Sequence, residues 1–431
     1  MLCYQQRWPR PERSGREGSM DVGFDKAISL NELCKAAREC RRGVSNKAGP
    51  VEFNIHRLSS CKRLQDDIVK GTYKIRPGTR VKIYRPKKRI ATAPWFRDRT
   101  WQRSMCNNGV YDDLVRPFIT DNIACQKNKG ADMAIRRIIK MLQRMYHKDP
   151  GAPIYGVHLD VKKYFPSTPH DELKAMDRER IRDKRFIPFL DEIIESSKDE
   201  RPEEKIRMDP FGRRGTGLGS QINQLHQVSL LNELDHEMKC IVRSYIRYND
   251  DFLILDHDIN AVKRAKLVVR SHLEGYGLTM TDKAGVFKVQ DGFYFMRKRF
   301  ILKSTGKIIL RLHPKALADE RRTLRGLKHC MERGIRTMED VERHYQSWIA
   351  NAEYAGDAPI RAMDRFYTEL FRRHPRYKRK KRYLYGRPNL VNRTKASADR
   401  AGEQKTEERE CGSESQDRLR GDLRLSGDAG R

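Results

Sequence analysis

Aspartates stand side by side three times in this chain, as Asp66-Asp67, Asp112-Asp113 and Asp250-Asp251. Adjacent carboxylates can hold a hard divalent cation such as Mg²⁺, which takes oxygen ligands and keeps several of its waters. Context separates the three. Asp66-Asp67 lies in a polar stretch with helical spacing, and Asp112-Asp113 follows Tyr111 and precedes Leu114 and Val115 within a helical pattern, so both read as solvated helix faces. Asp250-Asp251, after Asn249, falls between the apolar runs 244–248 and 252–255, which is a hairpin signal. A further acid, Asp160, ends the short apolar run 154–160. A strand-end aspartate converging with an Asp-Asp pair on a neighbouring hairpin could hold two divalent ions roughly 3.5–4 Å apart, the arrangement that promotes in-line attack of a hydroxyl on a phosphate. Three carboxylates that close repel one another unless cations neutralise them, so such a site is expected to depend on metal.

The elements around these acids are expected to be as follows. Residues 24–72 read as mostly helical, 81–84 as a strand leading into the basic stretch 85–90, and 99–118 and 131–146 as helices. After the strand ending at Asp160, Thr168-Pro169-His170-Asp171 combines a capping residue, a proline suited to the first helical position and a first-turn acid, so a helix starts there. The charged stretch 190–214 reads as a helix followed by a loop, 221–242 as a helix, 260–275 as another and 286–312 as short strands. Three helical patterns follow, 315–333, 338–353 and 359–373. Beyond Pro375 the chain is basic and then polar, without apolar periodicity, and 385–431 is expected to be disordered.

Charge narrows the partners. Ninety Lys and Arg against 58 Asp and Glu leave +32, well beyond what solubility needs, and a polyanion is the natural counterpart. With no run of about 18 apolar residues, no membrane span is expected. Residues 1–20 carry Arg7, Arg10, Arg13 and Arg16 without the apolar block of a signal peptide. Nine cysteines are scattered with no Cys-x-x-Cys pair, which argues against a structural zinc cluster and for free thiols in a reducing, cytoplasmic compartment.

On these residues the chain resembles bacterial reverse transcriptases of the group II intron and diversity-generating retroelement kind. Arg247-Tyr-Asn-Asp-Asp251 is similar to their Tyr-x-Asp-Asp hairpin, and Leu159-Asp-Val-Lys-Lys-Tyr-Phe-Pro-Ser167 to their first catalytic motif. Gly217-Leu-Gly-Ser-Gln221 resembles the motif between them, Arg89 to Arg99 the fingers segment, Gly277 to Lys283 the loop after the hairpin, Gly292 to Met296 the primer grip, and Ser347-Trp348 a thumb segment. The likeness spans roughly residues 75–350. It departs at Asn249, where Ala, Val or Met is commoner, and at Gly215-Thr216, where a Gln-Gly pattern would fall.

The resemblance implies an α+β right-hand polymerase, with fingers and palm built on antiparallel sheet plus helices and a helical thumb. The implied segments are an N-terminal extension at 1–19, a helical segment at 20–75, fingers and palm at 76–300, a thumb at 301–375 and a tail at 376–431. It implies an RNA-directed DNA polymerase. Asp160, the backbone carbonyl of Val161, Asp250 and Asp251 would hold two Mg²⁺ ions, with Mn²⁺ as a substitute. Lys283 would stand near the leaving pyrophosphate as proton donor. Lys88 and Arg89 would clamp the triphosphate, Phe165 would exclude a 2′-hydroxyl, and Gly217 and Gln221 would lie beside the nascent base pair. The implied partners are an RNA template, a DNA or RNA primer, dNTPs and a cognate noncoding RNA or accessory protein. Three other readings share parts of this pattern: an RNA-dependent RNA polymerase, against which Phe165 argues; a maturase-like RNA-binding protein using the palm as scaffold, which would not need all three aspartates; and a polymerase of antiphage defence.

Overall fold

The computed structural model describes residues 22–42, 44, 47–83, 89–217 and 219–377. The extension 1–19, Lys88 and the tail from 378 onward therefore lie outside the described residues. The chain divides into two compact units, one running to Ile309 and the other from Leu310.

The first unit is organised on a four-stranded antiparallel sheet in the order β4-β5-β3-β6. Its strands are β3 (Tyr155–Val161), β4 (Ser244–Tyr248), β5 (Asp251–Asp256) and β6 (Met280–Lys288). Two smaller antiparallel pairings flank it in sequence: β1 (Thr79–Ile83) with β2 (Arg89–Ala93), and β7 (Phe293–Phe295) with β8 (Lys298–Leu302). β9 (Ile308–Leu312) follows in the strand order β7-β8-β9.

Alternation along β3 explains both its burial and its chemistry. Val157, Leu159 and Val161 enter one core with Val262, Ala265, Val269 and Leu273 of the Ile259–Gly275 helix and Leu234 and Met238 of the Asn232–Ile241 helix. Period-two geometry then turns His158 and Asp160 to the opposite face of the sheet. A second core gathers the N-terminal helices with the Phe96–Met105, Ile187–Glu195 and Gln221–Leu230 helices, through Leu33, Leu64, Trp101, Phe186, Leu190 and Leu225.

The helix expected over 221–242 is broken at Leu231, whose φ/ψ of −93°/21° leaves the α region, so two helices replace one. The 190–214 stretch opens on the end of the Ile187–Glu195 helix and continues as the expected loop, which also holds the short Glu203–Arg207 helix. Its acids and arginines form a compact ion network. Arg201 donates to both oxygens of Asp199, and Arg214 to both oxygens of Asp209 at 2.6 and 2.9 Å. Arg214 also reaches the carbonyls of Ser167 (3.0 Å) and Gly277 (2.9 Å), tying this segment to the turns after β3 and before β6. Gly277 has φ +62°, and a Cβ there would lie 2.4 Å from the Arg214 guanidinium.

Burial pushes the Asp199 carboxyl up, but its bonds from Arg201 and from the Arg214 amide outweigh that and hold it at about 2; Asp209 is likewise depressed, chiefly by Arg214. Carboxyls whose pKa is lowered by folding stabilise the protein above their unfolded value, near 4, and lose that contribution as pH falls through the folded value. Thermal stability should therefore drop between about pH 4 and pH 2, and Asp209→Asn should flatten that drop in a Tm-versus-pH series. An identical acid slope in the variant would refute this role for the network.

Among its described residues the second unit holds three α-helices, Lys315–Glu332, Met338–Ala352 and Asp357–Phe371. Leu324, Val341, Tyr345, Ile349, Ile360, Met363 and Tyr367 form its core, and the middle helix begins with a capping box between Thr337 and Asp340. Among the described residues no helix is long and apolar enough to cross a membrane.

Candidate metal centre

Asp160, Asp250 and Asp251 come together. Asp160 pairs with Asp251 across the β3–β5 ladder, Asp250 occupies the turn beside it, and the three residues offer carboxylate oxygens within 4.8 Å of one another. All three are partly exposed. The other two Asp-Asp pairs have structural partners instead: Asp66 pairs with Lys62, Asp67 with Arg97, and Asp113 with Arg116 and Arg182.

The turn carrying Asp250 is tight. Tyr248 pairs with Asp251, so Asn249 and Asp250 alone make the connection, and Asn249 has φ +59°. Asparagine tolerates this left-handed conformation far better than branched or aliphatic residues do.

Below the turn lies an ion pair that the sequence did not disclose. Arg247 and Asp235 are both fully buried, joined by Nε–Oδ1 at 2.7 Å and Nη2–Oδ2 at 2.6 Å. The same guanidinium donates to the carbonyls of Val228 (2.9 Å) and Asn249 (3.0 Å), and Asp235 accepts from Tyr245 and Asn122 as well. Arg247 therefore anchors the turn from beneath. Burial opposes its charge, but Asp235 outweighs that and holds the guanidinium protonated.

Two further groups reach the acids. His158 Nε2 lies 3.1 Å from Asp251 Oδ1, with its ring edge-on to Phe295. Lys283 Nζ contacts Asp251 Oδ1 directly and lies 3.3 Å from Asp160 Oδ1. The sequence placed Lys283 in a loop; it stands instead on β6. Between Val157 and Leu159 the β3–β6 register skips from Val286 to Asp282, so Lys283, Ala284 and Gly285 (φ +65°) form an irregularity in the ladder. Such a bulge re-aims a side chain, here toward the carboxylates.

Electrostatics set the acids apart. Burial, then repulsion from Asp160 and Asp251, raises the pKa of Asp250; burial, less the attraction of Lys283, raises that of Asp160. Burial pushes Asp251 up too, yet its bonds to His158 and Lys283 prevail and lower it. Lys283 is raised, the two carboxylates overcoming its burial. Hard oxygen donors in a cluster short of positive charge suit Mg²⁺ or Mn²⁺.

Phe165 follows Lys163, which has φ +50°, in the short turn Tyr164–Ser167, and is half-buried. Its carbonyl accepts from the Thr216 amide at 2.8 Å, which links the β3 turn to the segment containing Gly217. Gln227 braces the same junction, with Thr168 donating to its Oε1 and its Nε2 donating to Thr216. Gly217 is fixed by Ser197 Oγ and Asn223 Nδ2, but neither its φ nor its neighbours demand glycine. Gly219 is the glycine that packing requires: φ is +131° and a Cβ would stand 2.5 Å from the Thr92 carbonyl of β2. Gln221 opens its helix and accepts from Arg103 Nη1 at 2.8 Å. The Val161 amide donates to the Asp250 carbonyl at 3.2 Å, joining two of the expected metal ligands through the backbone. Arg89 begins β2.

No family model and no curated protein matches the sequence. Among solved structures the chain is similar to telomerase from Candida albicans in complex with the TWJ fragment of telomeric RNA, at 12% identity and a TM-score of 0.42, over 70% of this chain and 58% of that one. It is also similar to apo telomerase from Candida tropicalis truncated from its C-terminal domain (13%, TM-score 0.37, 58% and 60%) and to telomerase from the same species with the TWJ fragment (10%, 0.39, 74% and 59%). The chain thus spans less than two thirds of the length of each.

Proposed function

We propose that the protein is an RNA-directed DNA polymerase that extends a primer 3′-hydroxyl with dNTPs. The convergence of Asp160 and Asp250-Asp251 on adjacent antiparallel strands is the observation that carries this reading. Two Mg²⁺ ions held there would activate the attacking hydroxyl and stabilise the leaving pyrophosphate. Asp160, Asp250, Asp251 and the Val161 carbonyl would bind them. Arg247 and His158 keep the turn and Asp251 in position. Lys283, already against the carboxylates, would donate a proton to the leaving pyrophosphate. Arg89 and Lys88 would hold the triphosphate, and Gly217 and Gln221 would border the nascent base pair. The four-stranded sheet would serve as palm, the β1–β2 pair as part of the fingers and the three C-terminal helices as thumb.

Phe165 supports DNA rather than RNA as product, because it lies five residues beyond Asp160 in the turn that β3 leads into. Phe165→Ala should relax sugar selection, by about one to two orders of magnitude if the ring supplies 1–3 kcal/mol of discrimination. Primer extension with competing rNTPs measures this. Unchanged discrimination would remove Phe165 from the role.

The experiment for the whole reading is extension of a DNA primer on an RNA template, with and without Mg²⁺. Full activity in chelator would sink it.

A further inference from the structure

We infer that the exposed face of the Ala131–Lys148 helix is a second docking site for RNA, gripping the phosphate backbone of a duplex outside the catalytic centre; this rests on the polymerase reading. From Met133 to Lys148 the helix carries Arg136, Arg137, Lys140, Arg144 and Lys148 and no acid. Arg137 is committed to Asp121 at 2.6 Å. Arg136, Lys140 and Arg144 are exposed, and none of them is in an ion pair among the described residues. At i, i+4 and i+8 they form one stripe with about 6 Å between neighbours. The opposite face is apolar and buried through Ala134, Ile135, Ile138, Ile139, Leu142 and Met145.

Like charges at i, i+4 destabilise a helix by a few tenths of a kcal/mol per pair. A helix that only needed solubility would intersperse acids, as the Met338–Ala352 helix does with Glu339 and Arg343. The repulsion is relieved by an external polyanion, and release of its condensed counterions adds to binding. No aromatic side chain belongs to the stripe, so it offers charge without a surface for stacking bases, which fits duplex phosphates rather than single-stranded bases.

Position separates this stripe from the reacting atoms. Near its start, Arg137 binds Asp121, whose carbonyl accepts from the Arg247 amide close to the catalytic turn. Near its end, the Met145 carbonyl lies 3.3 Å from Nε2 of His257, which follows β5 at the end of the strand away from Asp251. Six strand residues make that roughly 20 Å. The stripe therefore leads away from the carboxylates.

The test is Arg136→Gln/Lys140→Gln/Arg144→Gln in the full chain, titrated by fluorescence anisotropy with an RNA hairpin over a range of salt. The slope of log K against log[salt] should fall by about 2–3, close to one per cation removed. Mg²⁺-dependent extension of a short primer–template of about a dozen base pairs should be unchanged. The melting temperature should be equal or higher, since the repulsion has gone. An unchanged salt slope overturns the site, as does a change seen only with a DNA hairpin of the same sequence or only with an acidic protein partner. Loss of short-substrate extension overturns its separateness. If the wild-type chain extends no primer while the slope still falls, the polymerase reading fails and the docking site stands.

Discussion

Asp250→Ala is expected to abolish primer extension while leaving the protein folded and no less stable. The two effects come from one cause. In the free protein the carboxyl of Asp250 is held partly buried against Asp160 and Asp251, which raises its pKa. A carboxyl whose folded pKa is raised weakens the fold as pH rises through its unfolded value, so deleting it removes a repulsion. The same crowding is what cations would relieve. Losing a ligand that positions metal charge against a developing phosphorane should cost several kcal/mol of transition-state stabilisation, which is about 10³-fold or more in rate. Asp251→Ala should be equally inactive, and it also deprives Lys283 and His158 of their common acceptor. A readout free of catalysis distinguishes ligand loss from misfolding. Mg²⁺ or Mn²⁺ should raise the melting temperature of the wild-type chain by binding the folded form, and should not raise that of either variant. Equal metal-induced shifts in all three proteins would remove these aspartates from the metal site.

Asp235→Leu should be among the most destabilising single substitutions in the first unit. It leaves the Arg247 guanidinium fully buried with no counter-charge, a situation that costs about 3–5 kcal/mol. At about 2–4 °C per kcal/mol for domains of this size class, the melting temperature should fall by roughly 10 °C. Arg247→Met should be comparably damaging, since it orphans Asp235 and releases the Asn249 carbonyl. The double variant should recover much of the stability, because an apolar pair of similar volume avoids the desolvation of both ions. It should not recover activity, since the turn that carries Asp250 has lost its anchor. Additive destabilisation in the double variant would show that the two residues act independently, contrary to the bidentate geometry.

The carboxylate cluster was legible because its signals are local. Alternation in 154–160 and the turn residues between 248 and 252 told strand from helix, and that alone separated Asp250-Asp251 from two pairs now seen in ordinary ion pairs. What could not be read was set by distant partners or by ladder irregularities. Nothing near Asp235 in sequence marks it as the counter-ion of Arg247, twelve residues on. Lys283 reaches the acids through a register shift in β6, which leaves no periodic trace. The ion network of the 190–214 stretch left no mark in the sequence, because acids and arginines that pair with each other have the same composition as acids and arginines that face water. Leu231 interrupts a helix whose apolar spacing continues through the break.

The most direct measurement is single-nucleotide extension of a DNA primer annealed to an RNA template, with wild-type protein, dNTP or rNTP, and Mg²⁺ or chelator. Template-complementary dNTP addition that requires the metal, discriminates against rNTPs and disappears in Asp250→Ala is the predicted result. Addition that persists in Asp250→Ala, or a wild-type chain that binds the primer–template with metal and dNTP present yet adds nothing, would contradict it.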